Sequence, residues 1–393
     1  MADLVESTDS LNETLLLAEA CKATGFSDFG EDRSWGVGLA KFIEATEAMN
    51  PPPVLRADVR QRIRHHLETR LRLVQDAKAH PEIVAQTIDR PLVVCGLPRT
   101  GTTIMYDLLT RDPKARAPRE WEWFIPWPAP EQATFNSDPR IGAVTAMMEN
   151  WLAHAPELRA IQRFDCTQPG ECNHGMSHHF AGTNFWAELG VPKHAQWVID
   201  EIPEGLYLTH KRLLQQFQWK GPKGRWMLKS PNHLFDLAGL INAYPDACLI
   251  WTHRDPVSTF SSLASMVYAF QKAVGSTQTK TAIGAQVVNL WVEAMGRATR
   301  IRASRPDVEA RIIDLSHASV VHDPIGAVRK VYARFDIPFT QDHETAIRLF
   351  LAESPSRLGT HKHSAEEFGI DAGEVHRRLA DYYRQFGHLL AKA

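Results

Sequence analysis

The chain has 393 residues, with 44 lysines and arginines against 46 aspartates and glutamates, which leaves a formal net charge of -2. Apolar residues make up 44% and charged residues 23%, a balance typical of a globular protein and not of a disordered tail. The near-neutral charge argues against a nucleic-acid coat or a polybasic membrane binder. Any anionic ligand must therefore be met by a local cluster of cations.

The start of the chain and its cysteines bear on the cellular compartment. The first thirty residues carry acids early and have no basic segment ahead of an apolar one, so they do not resemble a secretory signal. No stretch approaches the roughly 18 consecutive apolar residues of a membrane span. Five cysteines are spread thinly through the chain, which fits a reducing compartment. We therefore expect a cytoplasmic protein.

Helical patterns fill the first part of the chain. Apolar spacing predicts short helices over 9–23 and 35–48 and a longer, strongly basic amphipathic helix over 54–78. The arginines of the long helix are expected to form a solvated face. We interpret residues 1–88 as a helical cap packed on the rest of the chain.

Four short segments then predict buried strands separated by helical patterns: Leu92 to Gly96, Arg225 to Lys229, Ala247 to Thr252 and Arg311 to Leu315. Strands that alternate with helices indicate an α/β fold with a mainly parallel sheet covered on both faces. We expect one such domain over 89–393. Within it, residues 113–224 are predicted to add a helical insertion and no strand, with helices over 142–155 and 207–218. Residues 371–390 are predicted to form a closing helix.

The loop after the first predicted strand has the composition of a phosphate cradle. It reads Gly96-Leu-Pro-Arg-Thr-Gly-Thr-Thr103 and opens an amphipathic helix. Glycine lets the backbone approach an anion, and the first free N–H groups of a helix point at it. Arg99 adds a planar cationic fork. The spacing from Gly96 to Gly101 equals that of a nucleotide-triphosphate loop, but Thr102 stands where that motif requires lysine, which disfavours ATP hydrolysis.

This loop resembles the first signature of the sulfotransferases that use 3'-phosphoadenosine 5'-phosphosulfate (PAPS). Pro98-Arg-Thr-Gly-Thr-Thr103 matches that signature at every position, and the likeness is greatest to the large bacterial sulfotransferase-like group. The resemblance implies a three-layer P-loop-like fold around a central sheet. It also implies that the donor's 5'-phosphosulfate is held by Arg99, Thr100, Gly101, Thr102 and Thr103.

A second signature of the same family follows the third predicted strand. Arg254 stands at the end of that strand and Ser262 follows eight residues later. The resemblance implies that both bind the donor's 3'-phosphate, which suits a guanidinium and a hydroxyl. The local alternative is an ion pair between Arg254 and Asp255 ahead of a helix. Lys362, in a late segment that resembles the bacterial group, is a further candidate near this phosphate, with a solvated loop as the alternative.

Catalytic candidates lie between and around these motifs. Lys229 follows the second strand in the family's Lys-x-Pro form, which implies a cation directed at the transferring group. His233 lies four residues after the lysine, whereas the family's Lys-Thr-His form places a histidine two after it, so His233 is open as base or as a packing residue. Glu120 and Glu122 both follow Arg99 by about twenty residues, as the glutamate base of related enzymes does. We favour Glu122, whose Trp-Glu context resembles the bacterial group.

The segment from Asp165 to His179 contains two cysteines and three histidines, but its spacing matches no standard zinc site. We therefore expect no metal. Glu171-Cys172 resembles a Glu-Cys pattern of the bacterial group, which implies a wall on the acceptor side.

The leading hypothesis is a PAPS-dependent sulfotransferase that moves a sulfuryl group to a hydroxyl or amine of a small acceptor by in-line displacement and releases 3'-phosphoadenosine 5'-phosphate (PAP). No metal, nucleic acid or membrane is expected to take part. Two alternatives stay open, namely a P-loop-like phosphoryl-transfer enzyme and a catalytically inactive nucleotide-binding protein. The sequence identifies neither the acceptor nor the oligomeric state.

Overall fold

A five-stranded sheet occupies the centre of the computed structural model, which describes residues 10–353 and 363–390. In chain order the strands are β1 (Leu92–Gly96), β2 (Ala115–Arg116), β3 (Arg225–Lys229), β4 (Cys248–His253) and β5 (Ile312–Ser316). Their order across the sheet is β2-β3-β1-β4-β5, and every neighbouring pair is parallel. The predicted α/β fold with a mainly parallel sheet is confirmed.

The central strand, β1, explains why the carboxyl edge of the sheet forms a crevice. It pairs with β3 on one side and with β4 on the other, so the chain leaves β1 toward one half of the sheet and later returns to build the other half. In open parallel sheets, ligands bind outside the carboxyl ends of the strands at such a switch point. The segments that follow β1, β3, β4 and β5 all begin at this edge.

The strand β2 corrects one prediction. It lies inside residues 113–224, which were expected to contain no strand. Ala115 and Arg116 pair with Arg225 and Trp226 of β3. Two residues are too few to show a strand pattern, and only the backbone pairing with β3 makes them one.

Helices cover both faces of the sheet. Before the sheet lie α1 (Glu13–Thr24), α2 (Ser34–Glu47), α3 (Pro53–Ala79) and α4 (Pro81–Val84). Between β1 and β3 lie α5 (Thr102–Leu109), α6 (Glu120–Phe124), α7 (Pro139–His154), α8 (Cys172–Ser177), α9 (Asn184–Leu189), α10 (Pro192–Glu201) and α11 (Leu206–Lys220).

The second half of the chain supplies the remaining helices. They are α12 (Leu237–Ala243), α13 (Pro256–Ala273), α14 (Lys280–Ser304), α15 (Pro306–Glu309), α16 (His317–His322), α17 (Pro324–Arg334), α18 (Gln341–Glu353), α19 (Ala372–Arg378) and α20 (Ala380–Phe386). The single closing helix expected over 371–390 is therefore wrong, because the chain leaves helical geometry at Leu379, with φ -107° and ψ 25°. None of the helices described is both long and apolar enough to cross a membrane.

Two apolar layers sandwich the sheet. Successive side chains of a strand point to opposite faces, so Val93 and Cys95 join one layer while Leu92 and Val94 join the other. The first layer is closed by α11, α12 and α14, and the second by α5 and α17. Burial on both faces explains why β1 consists entirely of apolar residues and glycine.

The long helix α3 packs inside the molecule, contrary to the expected solvated arginine face. The side chains of Arg60, Arg62 and Arg70 are only 11–19% exposed. Arg60 pairs with Glu19 of α1 at 2.6 Å, and Arg62 pairs with Glu188 of α9 at 2.7 Å. A sequence pattern cannot show that acids from other helices meet these arginines. The domain boundary near residue 88 stays a prediction.

Candidate active site

The loop between β1 and α5 is shaped by two residues in the left-handed region. Arg99 has φ 69° and Gly101 has φ 90°, and such turns direct successive backbone N–H groups toward one concave side. Among the described residues, no side chain caps the first turn of α5. Free N–H groups at a helix start attract anions. The loop is therefore built to hold an anionic group beside Thr102 and Thr103.

Two contacts with β4 fix the position of this loop. A Cβ atom on Gly96 would lie 2.5 Å from the carbonyl oxygen of Thr252, so the two strands are too close for any other residue. Thr100 is fully buried. Its Oγ1 donates to the carbonyl of Leu97 at 2.7 Å and lies 2.7 Å from Oγ1 of Thr252. The Thr100 hydroxyl thus braces the loop, and only its backbone is left to face a ligand.

Arg99, Arg254 and Ser262 come together beside the first two turns of α13. Nε of Arg99 donates to Oγ of Ser262 at 3.2 Å, and Nη1 of Arg254 donates to the carbonyl of Arg99 at 3.1 Å. Burial lowers the pKa of Arg99, and the positive charge of Arg254 lowers it further. Two neighbouring guanidinium groups repel each other until an anion lies between them. The structure thus places Arg99 beside the second motif, not at a separate pocket.

Lys229, the last residue of β3, reaches the first turn of α5. Its Nζ lies 3.3 Å from Oγ1 of Thr103 and forms an ion pair with Glu171, directly before α8. The side chain of Lys229 is only 4% exposed. A buried ammonium needs a counter-charge, which Glu171 supplies here. The lysine therefore stands next to the loop that would hold the transferring group.

Glu120, the first residue of α6, is a second carboxylate whose pKa responds to the charge of Lys229. Its Oε2 lies 3.6 Å from Nε2 of His174 and, within the described residues, is buried with no hydrogen-bond partner. Burial raises the pKa of Glu120. His174 and Lys229 oppose that rise, and the negative charge of Glu171 adds to it. A carboxylate of raised proton affinity with an open lone pair has the properties of a general base.

Glu122, the favoured base from the sequence, is engaged elsewhere. It is fully buried and forms an ion pair with Arg116, the end of β2. Its second oxygen accepts the backbone N–H of Arg119 at 2.8 Å, which caps the start of α6. The guanidinium of Arg116 lies 4.8 Å from the Trp226 ring. This arrangement gives Glu122 a structural task and moves the preference to Glu120.

His233 lies in the protein core. It is fully buried in a 3-10 turn after β3. Its Nδ1 is 2.9 Å from the hydroxyl of Tyr207, and its ring meets that of His210 edge-on. Burial, with a smaller effect from His210, lowers the pKa of His233 well below its ordinary value. The geometry favours the packing alternative over the base.

The sequence interpretation gave no role in the active site to three histidines that the structure places near it. His174 contacts Glu120, as described above. His317 begins α16 directly after β5, and its Cδ2 would lie 3.2 Å from a Cβ on Gly101. Burial, with help from Arg254, lowers the pKa of His317 to about 4. Nδ1 of His363 lies 3.0 Å from Oγ of Ser261. Because His317 directly follows a predicted strand, its sequence position could have indicated a place at the carboxyl edge of the sheet. The predicted phosphate ligand Lys362 lies outside the described residues.

These features together define a class of protein. The crevice at the carboxyl edge of a parallel sheet holds a P-loop-like loop, a pair of arginines, a buried lysine and a carboxylate whose pKa is raised by burial. Such a site suits transfer of a charged group from a phosphate-bearing donor.

Comparison with known proteins gives the family. The model of the Sulfotransferase family matches residues 91–341, and the chain belongs to that family. It is a sulfotransferase of the bacterial group. The family generally takes the sulfuryl group from PAPS.

Individual relatives agree with this assignment. The chain is 24% identical over 291 residues to the omega-hydroxy-beta-dihydromenaquinone-9 sulfotransferase Stf3 of Mycobacterium tuberculosis. The aligned region covers 69% of each of the two chains. Sulfotransferase STF9 from Mycobacterium avium superposes with a TM-score of 0.86 at 28% identity, covering 97% of this chain and 98% of that one. Sulfotransferase STF1 from Mycobacterium tuberculosis gives 0.82 at 26% identity, covering 95% and 100%.

Proposed function

We propose that this sulfotransferase binds PAPS across the edge of the sheet and transfers its sulfuryl group to a hydroxyl, or an amine, of a small acceptor. The observation that carries the proposal is the convergence of Arg99, Arg254 and Ser262 next to the cradle. A dianionic phosphate bound there relieves the repulsion between the two guanidinium groups and accepts charge-assisted hydrogen bonds. We assign this pocket to the 3'-phosphate of the donor.

The 5'-phosphosulfate is assigned to the cradle itself. Its holders are the backbone of residues 99–103, the hydroxyls of Thr102 and Thr103, and Lys229, whose Nζ is within 3.3 Å of Thr103. The side chain of Arg99 is thereby reassigned from the 5' group to the 3' group, because it points to Ser262. The side chain of Thr100 is removed from the donor set, because its hydroxyl is already used within the loop.

The reaction follows from these positions. Glu120 accepts the proton of the acceptor's hydroxyl as its oxygen attacks sulfur. The new O–S bond forms while the bond between sulfur and the bridging phosphate oxygen breaks in line with it. The electron pair goes to the 5'-phosphate of PAP, where Lys229 stabilises the developing negative charge in a buried setting. General-base assistance of this kind contributes ~10²–10⁴-fold to the rate.

The acceptor is proposed to approach past α6 and α8. Phe124 lies 4.7 Å from the His174 ring and 5.8 Å from the Trp151 ring, centroid to centroid. Aromatic walls next to one polar group favour an acceptor with an apolar body and a single reactive hydroxyl. The relative Stf3 is named for a hydroxylated menaquinone derivative, which has that character.

The compartment and the partners stay proposals. The five cysteines are free thiols, four of them buried, which supports the reducing cytoplasm that we propose. The prediction that no nucleic acid takes part rests on the near-neutral charge, and the prediction that no metal is needed for the transfer rests on the number of cations at the site.

Calorimetric titration with two nucleotides tests the donor assignment. We expect PAP to bind more tightly than AMP, which lacks the 3'-phosphate. Arg254→Gln and Ser262→Ala should weaken PAP binding and leave AMP binding nearly unchanged. In Arg254→Gln, the loss of charge-assisted hydrogen bonds should cost about 1.5–3 kcal/mol of binding free energy, which corresponds to a roughly 10- to 150-fold higher Kd for PAP. Arg384→Gln is the control, because its side chain is 76% exposed.

Three outcomes distinguish the alternatives. If PAP and AMP bind equally and Arg254→Gln weakens both, the pocket is not a 3'-phosphate site. If PAP binds as expected but no acceptor in a broad panel is sulfated by radiolabelled PAPS, the inactive nucleotide-binding alternative gains support. Magnesium-dependent ATP binding would favour phosphoryl transfer, against which Thr102 already argues.

A further inference from the structure

Three histidines from distant parts of the chain meet at the carboxyl end of α6. His65 and His66 belong to α3, and His178 directly follows α8. One ring nitrogen of each lies within 4.8 Å of the other two. The cluster is separate from the donor site, and the proposed reaction does not use it.

We propose that His65, His66 and His178 form a binding site for a transition-metal cation of the Zn²⁺ type, which ties α3 to α6 and α8. The proposal does not depend on the donor or on the acceptor. It revises the expectation of no metal, which rested on the spacing between Asp165 and His179. His178 belongs to that segment, but His66 precedes it by 112 residues.

The distances suit nitrogen ligands of one ion. Nδ1 of His66 and Nδ1 of His178 face each other at 3.1 Å. Two nitrogens that each lie about 2.0–2.1 Å from a tetrahedral zinc are about 3.3–3.4 Å apart. Only a small adjustment separates the two geometries. Without a cation, one of these nitrogens must carry a proton and donate it to the other.

The outer hydrogen bonds orient two of the rings for metal binding. Nε2 of His65 lies 2.7 Å from the carbonyl of Phe124, and Nε2 of His178 lies 3.0 Å from the carbonyl of Trp123. A carbonyl can only accept, so both Nε2 atoms carry protons and both Nδ1 atoms carry lone pairs. Metal-bound histidines in proteins commonly donate their other N–H to a backbone carbonyl in this way.

Burial and charge at the cluster favour a cation held by neutral rings. His66 and His178 are buried, and the ring of Phe180 meets His66 edge-on at 5.6 Å. The nearby guanidinium of Arg62 is offset by Asp58 at 3.0 Å and Glu188 at 2.7 Å. Three protein nitrogens leave a fourth position for water, as in other three-ligand zinc sites.

The cluster touches the segment that carries the proposed base. The rings of His65 and His178 are oriented by their hydrogen bonds to the last two carbonyls of α6, and the first residue of α6 is Glu120. The ion would therefore fix the end of α6 and act on position, not on the reacting atoms.

Metal content of the full chain, produced without a histidine tag, tests the proposal. The protein is first stripped of metal by a chelator, then equilibrated with Zn²⁺ and separated from excess ion. Its zinc content is measured by inductively coupled plasma mass spectrometry. We expect about one equivalent of zinc per chain and a Tm that rises with free Zn²⁺, because the ion binds only the folded state. His66→Gln and His178→Gln should abolish retention, whereas His154→Gln, an exposed histidine on α7, should retain it.

Cobalt substitution keeps the test decisive if those variants fail to fold. Co²⁺ in the wild-type chain should give the visible absorption of a four-coordinate, nitrogen-ligated centre, without the charge-transfer band of a thiolate. The proposal is wrong if the folded wild-type chain retains neither ion, if it shows thiolate ligation, or if a folded His66→Gln protein retains zinc as wild type does. The histidines would then form a hydrogen-bonded chain of neutral rings.

Discussion

Glu120 and Glu122 stand two residues apart, yet their surroundings give them different tasks. Glu122 is neutralised by Arg116 and caps α6, while Oε2 of Glu120 is buried without a hydrogen-bond partner among the described residues. The sequence predicts both as candidates because both have the right distance from Arg99. The Trp-Glu context favours Glu122, but it does not show the ion pair with Arg116, a residue placed by the pairing of β2 with β3.

A matched pair of variants separates these tasks. We expect Glu120→Gln to lower kcat by ~10²–10⁴-fold and to leave the urea midpoint close to wild type, because among the described residues its carboxylate pairs only with the imidazole of His174, at 3.6 Å. Glu122→Gln should instead reduce the free energy of unfolding by about 3–5 kcal/mol, because it leaves the buried guanidinium of Arg116 uncompensated. Urea denaturation and steady-state rates with one acceptor measure both. The opposite pattern would return Glu122 to the position of base.

The pH dependence of the reaction reports on Glu120. A base must be ionised to accept a proton, so kcat/KM for the acceptor should rise with pH across the pKa of Glu120. Burial raises that pKa above the ordinary 4.5, and the acidic limb should lie correspondingly higher. Glu171→Gln removes a negative neighbour that contributes to the rise, so its limb should move to lower pH. A limb that stays in place in Glu171→Gln would show that another group titrates.

At the scale of elements, the loop after β1 depends on a close approach of two strands. A Cβ on Gly96 would be 2.5 Å from the carbonyl oxygen of Thr252, and Gly96 has φ 130°. We expect Gly96→Ala to destabilise the protein by about 1–3 kcal/mol and to weaken PAP binding as the cradle shifts. Thermal unfolding and PAP titration measure the two effects.

Gly142 offers the control for this variant. It is exposed within α7, and a Cβ there meets nothing within 4 Å among the described residues. Gly142→Ala should leave stability unchanged or raise it by about 0.5–1 kcal/mol, as alanine favours a helix interior. Equal losses in the two variants would mean that the strand contact at Gly96 is not the cause.

The sequence predicts β1 and β3 at their observed bounds, because β1 is a short apolar run and β3 has an apolar centre between two charged residues. It also predicts α3, whose pattern extends over many turns. It misses β2, which has only two residues, and the interruption at Leu379. Among the site residues, the motifs indicate Arg99, Arg254 and Ser262 from their order along the chain. They do not indicate that Arg99 turns toward Ser262, since that direction depends on the left-handed backbone at Arg99 and on where α13 begins.

For the whole molecule, the N-terminal helices and the remainder form a common apolar cluster. Phe185 of α9 stacks on Phe42 of α2 with ring centroids 4.2 Å apart, and Leu39, Leu67 and Phe180 join the same cluster. The helices α1 to α3 therefore have part of their core in the segment 113–224.

This shared cluster predicts that the chain unfolds as one unit. Calorimetry should show a single transition with equal van 't Hoff and calorimetric enthalpies. Phe185→Ala should lower the free energy of unfolding by about 3–5 kcal/mol. The whole transition should therefore move to lower temperature without splitting. Two separate transitions, or a fragment 89–393 that folds with the Tm of the full chain, would contradict the prediction and support an independent N-terminal domain.

All five strands run in the same direction, so their amino ends lie at the edge of the sheet opposite the proposed site. That edge is available for labelling. Asp89 is exposed just before β1, and a five-residue strand spans about 16 Å, so a dye or a surface tether attached there stays clear of the proposed nucleotide site. Four of the five native thiols are buried, and burial raises the pKa of Cys95 and of Cys172 to about 12, which makes them poor nucleophiles. A cysteine introduced at Asp89, with Cys21 replaced by serine, therefore provides selective attachment chemistry for fluorescence or immobilised assays.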